Sequence, residues 1–168
     1  MATALTWTPE ALAYAALYEA IATAAPVLAI VDAANILRHD IEQTPLIDSR
    51  NYGDLPSLDI IPTGGGDVNV FHSTDTAMID MILELEFKTG EEKAGAKKGL
   101  WAVRFAVIRA LFINGVTLGN QYIEQWNLGA FDNLTPLEVA SEFEDEVGWQ
   151  STAALTLTLK IPHDELIQ

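Results

Sequence analysis

Each of the three histidines lies close to an aspartate: His39 precedes Asp40, His163 precedes Asp164, and His72 stands shortly before Asp75. An imidazole beside a carboxylate can ligate a metal ion or orient a metal-bound water, so metal-assisted hydrolysis is the chemistry these pairs would offer. Such a centre also needs further ligands held at defined positions on helices. Here one pair falls at a predicted helix end, one in a predicted loop and one near the last residue. The histidines therefore read as exposed polar residues. Asp67, Asn69 and Asp75 bear a loose likeness to a calcium loop, but the glycine at its sixth position and the closing glutamate are missing. The run Glu142-Phe143-Glu144-Asp145-Glu146 would attract divalent cations weakly, and such runs are more often solvated surface.

The segment IIPTGGGDVNVF raises phosphate binding, because the N–H groups of a glycine-rich turn can cradle an anion. A P-loop would follow its glycine with Lys and Ser or Thr and then a helix. In this chain Gly64, Gly65 and Gly66 lead into Asp67, Val68, Asn69 and Val70. The carboxylate would repel a phosphate, and the β-branched residues favour extended backbone. Neither GxSxG nor HExxH occurs, and no serine has neighbours that single it out as a nucleophile. No catalytic, metal-binding or cofactor-binding residue is assigned, and the chain is not expected to be an enzyme.

Charge is the strongest compositional signal. Across 168 residues, 24 acids oppose 9 bases, for a formal net charge of −15. That balance excludes nucleic-acid binding through phosphate neutralisation. It suits a wall that nucleic acid passes without sticking. The bases are unevenly spread: six of the nine lie between Lys88 and Arg109, whereas residues 111 to 168 hold one base and nine acids. Two consequences are open, pairing between copies of the chain or pairing of the basic segment with acids of its own chain. The absence of cysteine excludes disulfides and thiolate metal sites. No apolar run is long enough for a membrane helix, and the first residues lack the basic start of a signal peptide. A chain that works in, or assembles in, the cytosol is expected.

The elements follow from periodicity. Thr8 is a suitable N-cap, with Pro9 and Glu10 in the first turn of a helix that Pro26 should end or kink. A second helix is predicted over Val27 to His39, and a proline- and glycine-bearing loop over about 40 to 57. Ser57 to Thr63 reads as a strand, followed by a flexible arm over about 63 to 77. Met78 to Lys88 alternates strictly, as does Ala153 to Ile161, and both predict half-buried antiparallel strands. Between them lies a helix over Lys93 to Phe112, whose stripe of Leu100, Val103, Val107 and Leu111 is widened by Trp101, Phe105, Ile108 and Phe112. Asn114-Gly115 supplies its stop. Gln121 to Ala130 has β character. Residues 135 to 149 fit either a strand or a helix opened by Thr135-Pro136-Leu137-Glu138, with the alternation favouring a strand. The sum is one α+β domain over residues 1–168, an antiparallel sheet of about five strands packed against two or three helices.

This order and these lengths resemble the tail terminator, or tail completion, proteins of long-tailed bacteriophages, which join head to tail and cap the tail tube. The residues that carry the likeness are the helix from Glu10 to Ala25 and the Leu-Pro entry into a strand at Asp54 to Pro62. To these add the strand Met78 to Lys88, the helix Lys93 to Phe112 across the sheet, and the strand Ala153 to Ile161. The stretch from 26 to 53 is longer than in small members, which leaves an insertion or another neck protein open.

The resemblance implies a homo-oligomer, a hexameric ring located in the virion and assembled in the host cytoplasm. Its partners would be the tail tube protein and a neck or head-completion protein, with DNA passing through an acidic lumen unbound. The contact surfaces expected on that basis are the arm, with Gly64, Gly65, Gly66, Asp67, Val70 and Phe71, and the basic helix at Lys97 and Lys98. Glu142, Glu144 and Glu146 would offer the acidic counterpart. A ligand-binding α+β domain of the cytosol and a metal-dependent hydrolase are the competing readings.

Overall fold

The computed structural model describes residues 8–39, 50–51, 55–71, 76–115, 118–140 and 147–166. Helix α1 spans Pro9–Ala22, and the Thr8 hydroxyl caps it by accepting from the Ala11 amide. A short helix α2, Ala25–Leu28, carries Pro26 in its first turn, where a missing N–H costs nothing. One 3-10 turn at Ala33–Asn35 leads into strand β1, Ile36–Arg38. Then follow β2 (Arg50–Asn51), β3 (Ser57–Phe71), β4 (Thr76–Thr89), helix α3 (Lys93–Ile113) and β5 (Ile123–Leu128). The chain closes with β6 (Thr135–Ala140), β7 (Val147–Pro162) and a short helix α4, His163–Leu166.

The strands form one mixed sheet in the order β1-β3-β4-β7-β6-β2, with β5 also paired to β7. Its centre is antiparallel. β4 runs against β7 along its full length, from Thr76 opposite Pro162 to Thr89 opposite Trp149. The fold is α+β, as expected, but the sheet has seven strands rather than about five, and two of its pairings, β1–β3 and β2–β6, are parallel.

The alternating residues sort as the period of two demands. Leu83, Leu85 and Phe87 of β4 and Leu155, Leu157 and Leu159 of β7 are fully or almost fully buried on one face. Against them pack Tyr14, Leu17 and Ile21 of α1 and Val103, Val107 and Leu111 of α3. Both long helices therefore cover the same side of the sheet, and the opposite side presents Asp80, Ile82 and Glu84 of β4 outward.

Two expectations need correction. The helix predicted over Val27 to His39 stops at Leu28, and Ile36 to Arg38 lie instead beside Leu58 to Ile60 as a parallel strand. Tertiary contacts override the helical period here. The Tyr14 hydroxyl donates to the Ile60 carbonyl, and the Tyr18 hydroxyl donates to the Ile36 carbonyl at 2.9 Å, so α1 ties down both strands.

The second correction concerns the arm. Gly64 to Phe71 are not a loop: β3 continues through them, paired with β4 as far as Phe71 opposite Thr76. Thr76 and Ala77, at the far end of the predicted arm, belong to β4; residues 72 to 75 lie outside the described residues, as does most of the predicted loop over 40 to 57. The glycines serve two register shifts in β3, between Pro62 and Gly64 and between Gly65 and Val68. Gly64 adopts φ +131°, a conformation open to glycine, and a Cβ on Gly66 would lie 2.9 Å from the Asp80 carbonyl oxygen. Gly65 has open space around it. Gly66→Ala should therefore cost about 1–3 kcal/mol through backbone displacement, and Gly64→Ala about 1 kcal/mol through strain. Gly65→Ala should stay within about 0.5 kcal/mol. Urea unfolding of the three variants checks that ranking; equal costs would show that the register shifts do not depend on these positions.

The segment from 135 to 140 is a strand, in line with the alternation, and residues 141 to 146 lie outside the described residues.

Candidate assembly surfaces

Titratable side chains converge at one place on the outer sheet face. Asp59 of β3 lies directly opposite Glu86 of β4, a like-charge pairing that is unfavourable by itself. Lys88 resolves it. Its Nζ is 3.2 Å from the Asp59 carboxylate and 2.9 Å from that of Glu86, with Lys88 and Asp59 both buried. His39 Nε2 stands 3.7 Å from the same Asp59 oxygen, and both His39 ring nitrogens and the Ser57 hydroxyl are buried without a hydrogen bond among the described residues. His39 thus ends a strand, not the helix the sequence predicted. The side chains of Asp59, Lys88 and His39 are buried while Glu86 keeps a partly exposed side chain, so the cluster braces β1, β3 and β4 against one another.

The described depressions are small. One of about 270 Å³ lies between α1 and the end of α3, lined by Ala16, Glu19, Ala20, Thr23, Asn114, Leu118 and Gly119. Another, of about 200 Å³, lies at Leu55, Pro56, Thr89, Gly90 and Glu91. Both fall below the usual volume of a ligand pocket. Among the described residues no three His, Asp or Glu side chains gather to hold a metal ion. No described helix is long and apolar enough to cross a membrane.

The largest anomaly is on α3. The helix buries Leu100, Val103, Val107 and Leu111, yet Trp101, Phe105 and Phe112 are 69%, 63% and 71% exposed. Ile108 completes this outer line. Its 4-3-4 spacing forms a continuous ridge on the side of the helix turned away from the sheet. Near one end, Phe112 makes an edge contact with the Trp126 ring of β5, at 5.7 Å between centroids. Lys97 and Arg104 flank the ridge on one side and Lys98 and Arg109 on the other, as the helical period places them. In all, α3 holds five bases and no acid, so the remaining four bases stand against all 24 acids. The sequence put Trp101, Phe105 and Phe112 in the buried stripe; they are instead an exposed aromatic surface.

A second apolar surface sits on β3. Val68 and Val70 are 59% and 56% exposed, beside exposed Asp67. β1 pairs only with Leu58 to Ile60, so from Ile61 onward the outer edge of β3 has no strand neighbour among the described residues.

Of the contact residues expected from the sequence, Gly64, Gly65, Asp67 and Val70 lie along this edge, with Gly66 turned against β4 and Phe71 ending the strand. Lys97 and Lys98 are exposed beside the ridge. Glu142, Glu144 and Glu146 lie outside the described residues. Trp149 stacks under the Lys93 ammonium, 5.1 Å from the ring centroid. One further polar contact braces α4: the Glu165 carboxylate, and then burial, push the Tyr122 phenol above its ordinary pKa.

No family model matches the chain, and no curated protein matches it. Twenty-four solved chains match it. One is a chain from the virion of a native gene transfer agent particle, 14% identical, covering 88% of this chain and 93% of its own length at a TM-score of 0.44. At that score and identity, neither fold nor function is carried across.

Proposed function

We propose that this chain is a structural virion protein of a long-tailed phage, a ring-forming tail terminator that caps the tail tube and joins it to the neck. The observation that carries the proposal is the exposed aromatic ridge of α3, set in a basic rim on an otherwise acidic molecule. A large aromatic surface left in water is costly for an isolated domain and ordinary for a subunit awaiting its neighbours. The α+β order of elements, with α3 laid across the sheet, is the one the tail terminator resemblance implies. The carboxylate-rich remainder suits a channel through which DNA slides without adhesion.

Reversing Lys97 and Lys98 to Glu should leave the subunit folded and weaken the ring by roughly tenfold to a hundredfold at low salt, the range of a few lost rim and core charge contacts. Light scattering at low and high salt reads the outcome. A particle of unchanged size under both conditions would remove the basic helix from the assembly contact. The terminator role itself is read separately, by adding the purified protein to polymerising tail tubes and measuring their lengths by electron microscopy. Tubes that grow on regardless exclude it.

A further inference from the structure

The two exposed apolar surfaces carry opposite charge. The open stretch of β3 from Ile61 to Phe71 holds one acid, the exposed Asp67, and no base, whereas α3 holds five bases and no acid. Pairing α3 with α3 across a two-fold axis would bury the aromatic ridge but set the bases of one rim against those of the other. Pairing β3 with β3 about its midpoint would set Asp67 beside its own copy, with no base on either edge to offset it. Each symmetric contact opposes like charges at close range, which costs rather than stabilises. Only the mixed contact satisfies both surfaces.

We propose that the β3 edge of one copy seats on the α3 ridge of a second copy, with Val68 and Val70 against Trp101 and Phe105 and Asp67 within the basic rim. The contact is heterologous: every copy offers one edge and one ridge. Such contacts repeat from copy to copy and close into a ring when the rotation permits. Among the described residues the edge from Ile61 to Phe71 has no strand partner on the side that must meet the ridge, and its two register shifts twist it away from flat edge-to-edge stacking. The proposal deepens the ring-forming role by naming its contact, yet it is decided by self-association of the purified chain alone.

The chain has no cysteine, so single cysteines report contacts without background. Asn69→Cys places one on the β3 edge between Val68 and Val70, and Ala102→Cys places one on exposed α3 beside the ridge. Mixed under mild oxidation, these two variants should form a covalent pair in preference to either homodimer. Ala154→Cys, exposed on the open sheet face, serves as the control. Equal coupling of Ala102→Cys to itself or to Ala154→Cys overturns the proposal. So does the absence of coupling together with a monomer by light scattering at high concentration, which would assign the ridge to a different molecule. Trp101→Ala with Phe105→Ala should weaken self-association by at least about thirtyfold, the loss expected of aromatic anchors, while circular dichroism stays unchanged because both rings are exposed. Undiminished association in that variant also overturns it. A chain that associates in this way but fails to stop tube growth separates the contact from the virion role.

Discussion

Replacing Asp59 with Ala is expected to destabilise the fold by about 3 to 5 kcal/mol, the usual cost of stripping one partner from a buried ion pair. For a domain of this size that lowers the melting temperature by roughly 10 °C. The reason lies in the geometry around Lys88. Its ammonium is buried within 3.2 Å of Asp59 and 2.9 Å of Glu86, and Glu86 is the more exposed of the two carboxylates. With Asp59 gone, the ammonium keeps only the solvated partner among the described residues, and the His39 ring loses the carboxylate 3.7 Å from it. Lys88→Ala should cost at least as much, because it removes the ammonium that lies between Asp59 and Glu86, two carboxylates set opposite each other across the strand pair. The double variant Asp59→Leu with Lys88→Met removes both charges and keeps the volume, so it should recover most of the loss. Urea unfolding of the three proteins gives the coupling energy directly. Purely additive costs would show that the two groups do not interact.

The sequence carried much of the frame and little of the surface. Strands β4 and β7 were legible because one face is buried along their whole length, which forces the alternation of Ile79 to Phe87 and of Ala153 to Ile161. Helix α1 was legible because its start obeys local rules: Thr8 caps it and Pro9 sits where its missing N–H is harmless. Strand β1 was not, since Ile36-Leu37-Arg38 is strand only by lying beside Leu58 to Ile60, a pairing made twenty-odd residues away. The course of β3 through three glycines was hidden for a related reason. Glycines that absorb a register shift and glycines that free a loop have the same composition, and only the proximity of Asp80 to Gly66 separates them. The basic flank of α3, with Lys97 and Lys98 exposed, was legible from the clustering of bases. The aromatic ridge was misassigned because hydrophobicity alone cannot tell a helix that is apolar on two faces from one with a wide core stripe.

That distinction yields the other large effect. Phe87 and Phe105 are the same residue type, both at positions the sequence places toward the core. Phe87 is fully buried, its ring in van der Waals contact with the position of Gly99 on α3, at 3.6 Å from where a Cβ there would stand. Truncating it to Ala leaves a cavity at the junction of sheet and helix that neither rigid element can close, at an expected cost of about 3 to 5 kcal/mol. Phe105 meets solvent on the opposite side of the same helix, so Phe105→Ala should alter subunit stability by no more than about 0.5 kcal/mol. Measured by chemical unfolding at protein concentrations low enough to keep the chain monomeric, the two variants should differ by several kcal/mol. Raising the concentration should narrow the gap, because association stabilises only proteins that keep the ridge. A large loss from Phe105→Ala in the monomer would mean that the ridge is covered within its own chain, and both the ring contact and its partner would have to be abandoned.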